Sequence, residues 1–230
     1  MYYSKIYLVF IMIIVVIALC HAQSGKPVFE VTLSKNPTAG EIGNFFSRVS
    51  TGELDIFNVL PVVVAKKDKA LPALETLLFS PQDTIKKEYV LLVLDGISGK
   101  KAVDLIIRSA QYETDVEVRG KALSLLGKSQ YAKAMEDSLA PNKEILHALY
   151  ACASDTAMSL NASKRVGEIA REGIRNWTGR DLGTLPLDGG TVKEGGKKPD
   201  MAAYHEKYWQ KIAGKLKWDD GEKKFEVKGQ

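Results

Sequence analysis

Asp115-Val-Glu-Val-Arg-Gly-Lys-Ala-Leu-Ser-Leu-Leu-Gly127 decides the fold. Its apolar residues Val118, Ala122, Leu125 and Leu126 fall at helical spacing. Asp115 stands where a helix needs an N-cap, and Gly127 stands where it needs a stop. The skeleton recurs more weakly on both sides. Gln82-x-x-Ile85-Lys86-x-x-Tyr89-x-x-Leu92-Val93 precedes it by 33 residues, and Asn142-x-x-Ile145-x-x-x-Leu149-x-x-Cys152-Ala153 follows it by 27. A recurrence near 30 residues built around a helix is the mark of a helical repeat array.

Working outward, the remaining periodicities supply partner helices. Ile42, Phe45, Phe46 and Val49 predict a helix over 39–49, and Leu54, Phe57, Leu60 and Val64 predict one over 53–66. Pro61 lies inside the second and should kink or end it, since proline lacks the donor and clashes with the preceding turn. Further helices are expected over 69–79, 83–96, 100–110, 131–139, 143–153 and 161–177. Joined by short polar breaks, they read as antiparallel pairs that bury their apolar faces only by stacking. Residues 187–199 read as a Gly/Lys loop, 204–217 as a last helix, Trp218 to Gly221 as a turn and 223–227 as an extended tail.

The pattern Asp115-x-x-Val118-Arg119-x-x-Ala122-x-x-Leu125-Leu126-Gly127 resembles the second helix of a HEAT repeat of the short bacterial type. The resemblance covers roughly residues 69–176. It implies an all-α, right-handed α–α superhelix, a HEAT-like solenoid over 38–177. The Trp177-Thr-Gly turn and the Tyr/Trp-rich helix after it resemble the C-terminal cap of exported bacterial HEAT proteins, here 178–230. Some short HEAT proteins resemble bilin lyases, which makes an enzyme or enzyme subunit the alternative to a non-enzymatic scaffold.

Residues 1–22 read as a signal peptide. Lys5 supplies the basic start, Ile6 to Leu19 are uncharged, and that run is short of the ~20 residues a bilayer span needs. Ala22 offers a small residue for cleavage before Gln23. The alternative is a lipoprotein anchored at Cys20, for which Leu19 is bulky. Export to the periplasm or exterior is expected, with 23–37 as a lead-in. Membrane association follows only if Cys20 is acylated or the leader is uncleaved.

Composition fits one folded domain with appendages: 45% hydrophobic and 26% charged residues, with net charge +4, or one less without Lys5. That balance argues neither for nor against any partner, and no nucleic-acid partner is expected. Of two cysteines, Cys20 leaves with the leader, so no disulfide is expected. His205-Glu206 begins like a zincin motif, but Trp209 replaces the second histidine. Ser98-Gly-Lys-Lys101 has the Ser-x-x-Lys spacing of penicillin-recognising enzymes without their companion motifs. Gly190 to Gly195 has P-loop spacing, yet Gly196 replaces the lysine. The sequence therefore predicts no catalytic, cofactor or metal site, and a protein partner. Asp83/Lys87 and Asp115/Arg119 are expected as i,i+4 pairs. Since second helices line the concave face of HEAT arrays, Lys86, Lys87, Arg119 and Lys121 are candidate partner-binding residues. Trp177 and Trp209 are further candidates, with burial as capping residues the competing reading.

Overall fold

The computed structural model describes residues 32–81, 83–128, 143–179, 200–219, 221–222 and 224–227. The expected helix over 131–139, the loop over 187–199 and the leader lie outside them.

The organising stretch folds as read. A helix spans Val116–Leu126, Asp115 accepts from the amides of Glu117 and Val118, and Gly127 closes it. Among the described residues there are nine α-helices: α1 Ala39–Ser50, α2 Ile56–Val64, α3 Leu71–Phe79, α4 Thr84–Ile97, α5 Lys100–Tyr112, α6 Val116–Leu126, α7 Lys143–Cys152, α8 Val166–Thr178 and α9 Met201–Ala213. Thr38 and Glu41 form a capping box on α1, and Asp55, Asp83 and Asp115 cap α2, α4 and α6. Pro61 neither ends nor breaks α2, which runs on to Val64.

The helices pack in two rows. One holds α1, α3, α5, α7 and α9, each against the next; the other holds α2, α4, α6 and α8. The pairs α1/α2, α3/α4, α5/α6 and α7/α8 link the rows. The core lies between the rows, with Ile42, Phe46, Leu74, Leu78, Leu91, Leu94, Ile106 and Leu123 among its fully buried side chains. Near their ends α6 and α8 meet backbone to backbone. A Cβ on Gly127 would stand 2.9 Å from the Cα of Gly173, so glycine is what permits that approach.

Three expectations are corrected. The skeleton matched from Gln82 is one residue out of register: Asp83, where the helix is expected to start, caps α4 as Asp115 caps α6, and the spacing between the two caps is 32 residues. In that register Val90, Leu91, Val93 and Leu94 superpose on Ala122, Leu123, Leu125 and Leu126, all buried, while Ile85 lies outside. Second, Lys143–Cys152 occupies the first row, paired with α8, and is not a further copy of α6. Third, no helix starts at Asn161. Met158–Ser159 (β1) and Lys164–Arg165 (β2) form a small antiparallel hairpin, and α8 begins only at Val166. At the C-terminus Leu216–Asp219 (β3) pairs with Lys224–Val227 (β4), so Trp218 and Asp219 are strand rather than turn.

Candidate interaction surface

The candidate residues are placed unevenly. Lys86 is half-buried and pairs with Asp83 at 3.2 Å. Lys87 is buried, and its ammonium donates to Glu113 at 2.7 Å. Arg119 is half-buried; it donates to Asp155 through Nε and Nη2 at 3.3 and 3.0 Å, and through Nη1 to the carbonyls of Glu113 and Thr114. Lys121 is partly exposed. The expected pairs Asp83/Lys87 and Asp115/Arg119 therefore do not form. Lys87 and Arg119 hold equivalent places on α4 and α6. Each reaches forward to an acid preceding the next second-row helix, where a stacked neighbour supplies a drier and better-aligned partner than their own helix does.

Trp177 is buried and donates its indole N–H to the Leu126 carbonyl at 2.7 Å. It packs beside Trp218 and Phe225, their centroids 6.0 and 6.1 Å away. Trp209 is buried too, stacked on His147 at 4.9 Å and beside Tyr150 at 5.8 Å. These rings fasten α9 and the β3–β4 hairpin to the other helices. His147 meets Glu206 at 3.3 Å, and that hydrogen bond holds the Glu206 carboxyl below its ordinary range. His205 is buried with Nδ1 2.7 Å from the Ser154 hydroxyl. Burial, with Asp155 second, pushes the Cys152 thiol up to about 11, and it donates to the Ala110 carbonyl. Such a thiol is protonated and weakly nucleophilic at neutral pH. Among the described residues no three His, Cys, Asp or Glu side chains group as metal ligands, and no helix is long and apolar enough to cross a membrane.

The sequence missed a surface that the layering creates. First-row helices end, and second-row helices begin, along one edge of the array. The exposed large hydrophobic side chains of the described residues are Phe57, Phe79, Ile85, Tyr112, Met158 and Leu160, and all six lie on that edge. Phe57 and Ile85 are the second residues of α2 and α4, Phe79 and Tyr112 end α3 and α5, and the other two belong to the β1–β2 hairpin. Tyr112 and Leu160 are the most open, at 76% and 80%. Arg108, paired with Glu75, covers the Phe79 ring at 4.5 Å.

The hairpin is held there by Glu117. Its carboxylate accepts from the Ser159 hydroxyl at 2.7 Å and from the amides of Leu160 and Asn161 at 2.6 and 3.1 Å. Asn161 then donates to Glu88 of α4 at 2.9 Å, which places Leu160 along the same edge as Ile85. Burial raises the Glu117 carboxyl, but these donors outweigh it and the net shift is downward. Periodicity could not reveal this, because single exposed apolar residues at helix ends are ordinary until the stacking aligns them.

Asp115 links two second-row helices by accepting from the Thr84 hydroxyl at the start of α4. Burial raises its carboxyl, but Thr84, the amides of Val118 and Glu117, and Lys87 outweigh burial, so the net shift is downward. A lowered native value means stability that is present above the unfolded value, ~3.9, and lost as pH falls through the native one. Asp115→Asn, which keeps a cap, should flatten the acid limb of the stability profile below about pH 4. Urea melts from neutral pH to about pH 3 check this; an unchanged acid limb would contradict it.

No family model, no curated protein and no solved structure matches the chain.

Proposed function

We propose that this protein is an exported, non-enzymatic scaffold with a HEAT-like architecture that holds a protein partner along its apolar edge. The observation that carries the reading is the gathering of Phe57, Phe79, Ile85, Tyr112, Met158 and Leu160 on one side of the array. Exposed large apolar side chains gathered on one side of a fold and rimmed by polar groups mark a docking site. Here the rim is the row of capping aspartates Asp55, Asp83 and Asp115, one at each second-row helix start. The partner chemistry that fits is an amphipathic segment with aliphatic or aromatic anchors and basic flanks. Helices stacked in two rows suit a superhelix, which would offer such a segment a long continuous surface. Export rests on the uncharged run Ile6 to Leu19 and the cleavage signal at Ala22.

Phe57→Asp, Ile85→Asp and Leu160→Asp together test the edge. The expected result is a helical circular-dichroism spectrum and urea midpoint close to the parent, with at least ~10-fold weaker retention of a partner cross-linked to the parent in its host. Retention unchanged in the triple variant would sink the edge as the docking site. Intact mass of protein from the host should show a chain beginning at Gln23; a diacylated Cys20 would replace the soluble scaffold with a tethered one.

A further inference from the structure

The opposite edge carries a different chemistry. There second-row helices end and first-row helices begin, at the turns around residues 65–70 and 98–100. Neither first-row helix that starts there is capped by a side chain: α3 follows Ala70, α5 follows Gly99, and neither has an acid in its first turn. Lysines stand where acids would suit the helix dipole. Lys66, Lys67 and Lys69 precede α3, while Lys100 and Lys101 open α5. Cations at a helix N-terminus oppose folding, because they face the positive end of the dipole.

The first cluster surrounds a space. Lys35, Ala65, Lys66, Lys67, Asp68 and Lys69 line an open concavity of about 520 Å³. Lys66 donates to the Leu33 carbonyl at 3.0 Å, which fastens the lead-in beside it. Asp68 is the one acid in this wall. Further along the edge, Lys100 and Glu144 are 3.9 Å apart and both more than half exposed, while Lys128 faces Asp95 at 3.8 Å. Asp104 lies one turn into α5. No salt bridge within the described residues engages Lys35, Lys67, Lys69 or Lys101. The edge therefore holds a surplus of positive charge that the fold does not use.

We propose that this edge binds a linear polyanion of the polyphosphate class, seated in the lysine concavity and reaching the Lys100–Lys101 turn. Three features select that ligand. The cations of these two turns are all lysines, compact point charges that bind anionic oxygen without the fixed bidentate geometry of arginine, which suits a flexible chain dense in charge. Neighbouring turns stand one helix spacing apart, about 8–10 Å, so a single phosphate engages only the nearest ammoniums, whereas a chain of phosphates can lie along both clusters and engage more of them at once. The six exposed large hydrophobics lie on the other edge, which leaves attraction here electrostatic and sensitive to salt.

Fluorescence anisotropy with the purified protein and labelled linear polyphosphate tests this. Binding is expected to weaken by at least ~10-fold between about 50 and about 200 mM salt. Combining Lys67→Asn, Lys69→Glu and Lys101→Glu should weaken it by at least ~10-fold at the lower salt. Asparagine is chosen at 67 because the backbone there has φ 49°, which asparagine tolerates. Lys164→Glu, on the apolar edge, should leave binding unchanged and serves as the control. Four results would each overturn the proposal: no binding of the chain at low salt, equal binding by the triple variant, equal loss in the control, or tighter binding of polyglutamate of matched length. Orthophosphate competing as well as the linear chain would also overturn it, since a single anion would then suffice.

Discussion

Glu113→Ala should lower stability by about 3–5 kcal/mol in urea melts, because it leaves the Lys87 ammonium buried without its counter-ion. The pair is 2.7 Å apart, with side chains 10% and 7% exposed, so little solvent reaches it. Glu113 does more than neutralise Lys87. Its other oxygen accepts from the Thr114 amide at 2.9 Å, which helps to shape the turn into α6. Lys87→Ala should cost less than Glu113→Ala, since the remaining carboxylate keeps that amide donor. Replacing both residues together, Lys87→Met with Glu113→Leu, should recover much of the loss, because the desolvation cost of two charges disappears with them. A double variant as unstable as Glu113→Ala alone would show that the turn, rather than the ion pair, holds the two helices in register.

Trp177→Ala should cost about 3–5 kcal/mol, the usual consequence of deleting a fully buried aromatic side chain. Trp177 joins the end of α6 to the β3–β4 hairpin. Its indole N–H serves the Leu126 carbonyl at the end of α6, and its ring packs on Trp218 and Phe225 of the β3–β4 hairpin. A two-stranded hairpin is marginal by itself, so the hairpin depends on this contact. Trp218 fluorescence should therefore shift to the red in the variant, as its ring gains water. Trp177→Phe should cost about 1–3 kcal/mol, chiefly through the unserved Leu126 carbonyl. Urea melts and emission spectra check both variants. A Trp177→Ala variant within about 1 kcal/mol of the parent would mean that the hairpin is held by other contacts.

The legible part of the sequence was what lies within one helical turn of itself. Asp115 and Gly127 bound α6 as read, because a cap and a stop act on amides and carbonyls a few residues away. The helices α1, α3, α4 and α5 begin and end close to their expected limits for the same reason. Trp177 and Trp209 have burial as the competing reading, since aromatic side chains at helical spacing bury a large area. Where sequence reading slipped, it slipped locally too. The repeat skeleton can be laid on this stretch from Gln82 or from Asp83, and the Asp83 side chain, accepting from the Lys86 amide at 2.8 Å, fixes the register of α4.

What the sequence by itself determined is the helical composition, the capped helix around Asp115 and the alternation that makes pairs. The tertiary structure alone decided which row Lys143–Cys152 joins and where Lys87 and Arg119 send their charges. Their partners Glu113 and Asp155 lie 26 and 36 residues away along the chain. It also decided that 158–165 is a hairpin, because the Glu117 carboxylate 42 residues upstream of Ser159 gathers that hydroxyl and the two amides after it. The apolar edge and the lysine edge exist for the same reason. Each is a row of single residues from successive turns, ordinary one by one, and stacking brings them to about one helix spacing apart, where they act as a surface.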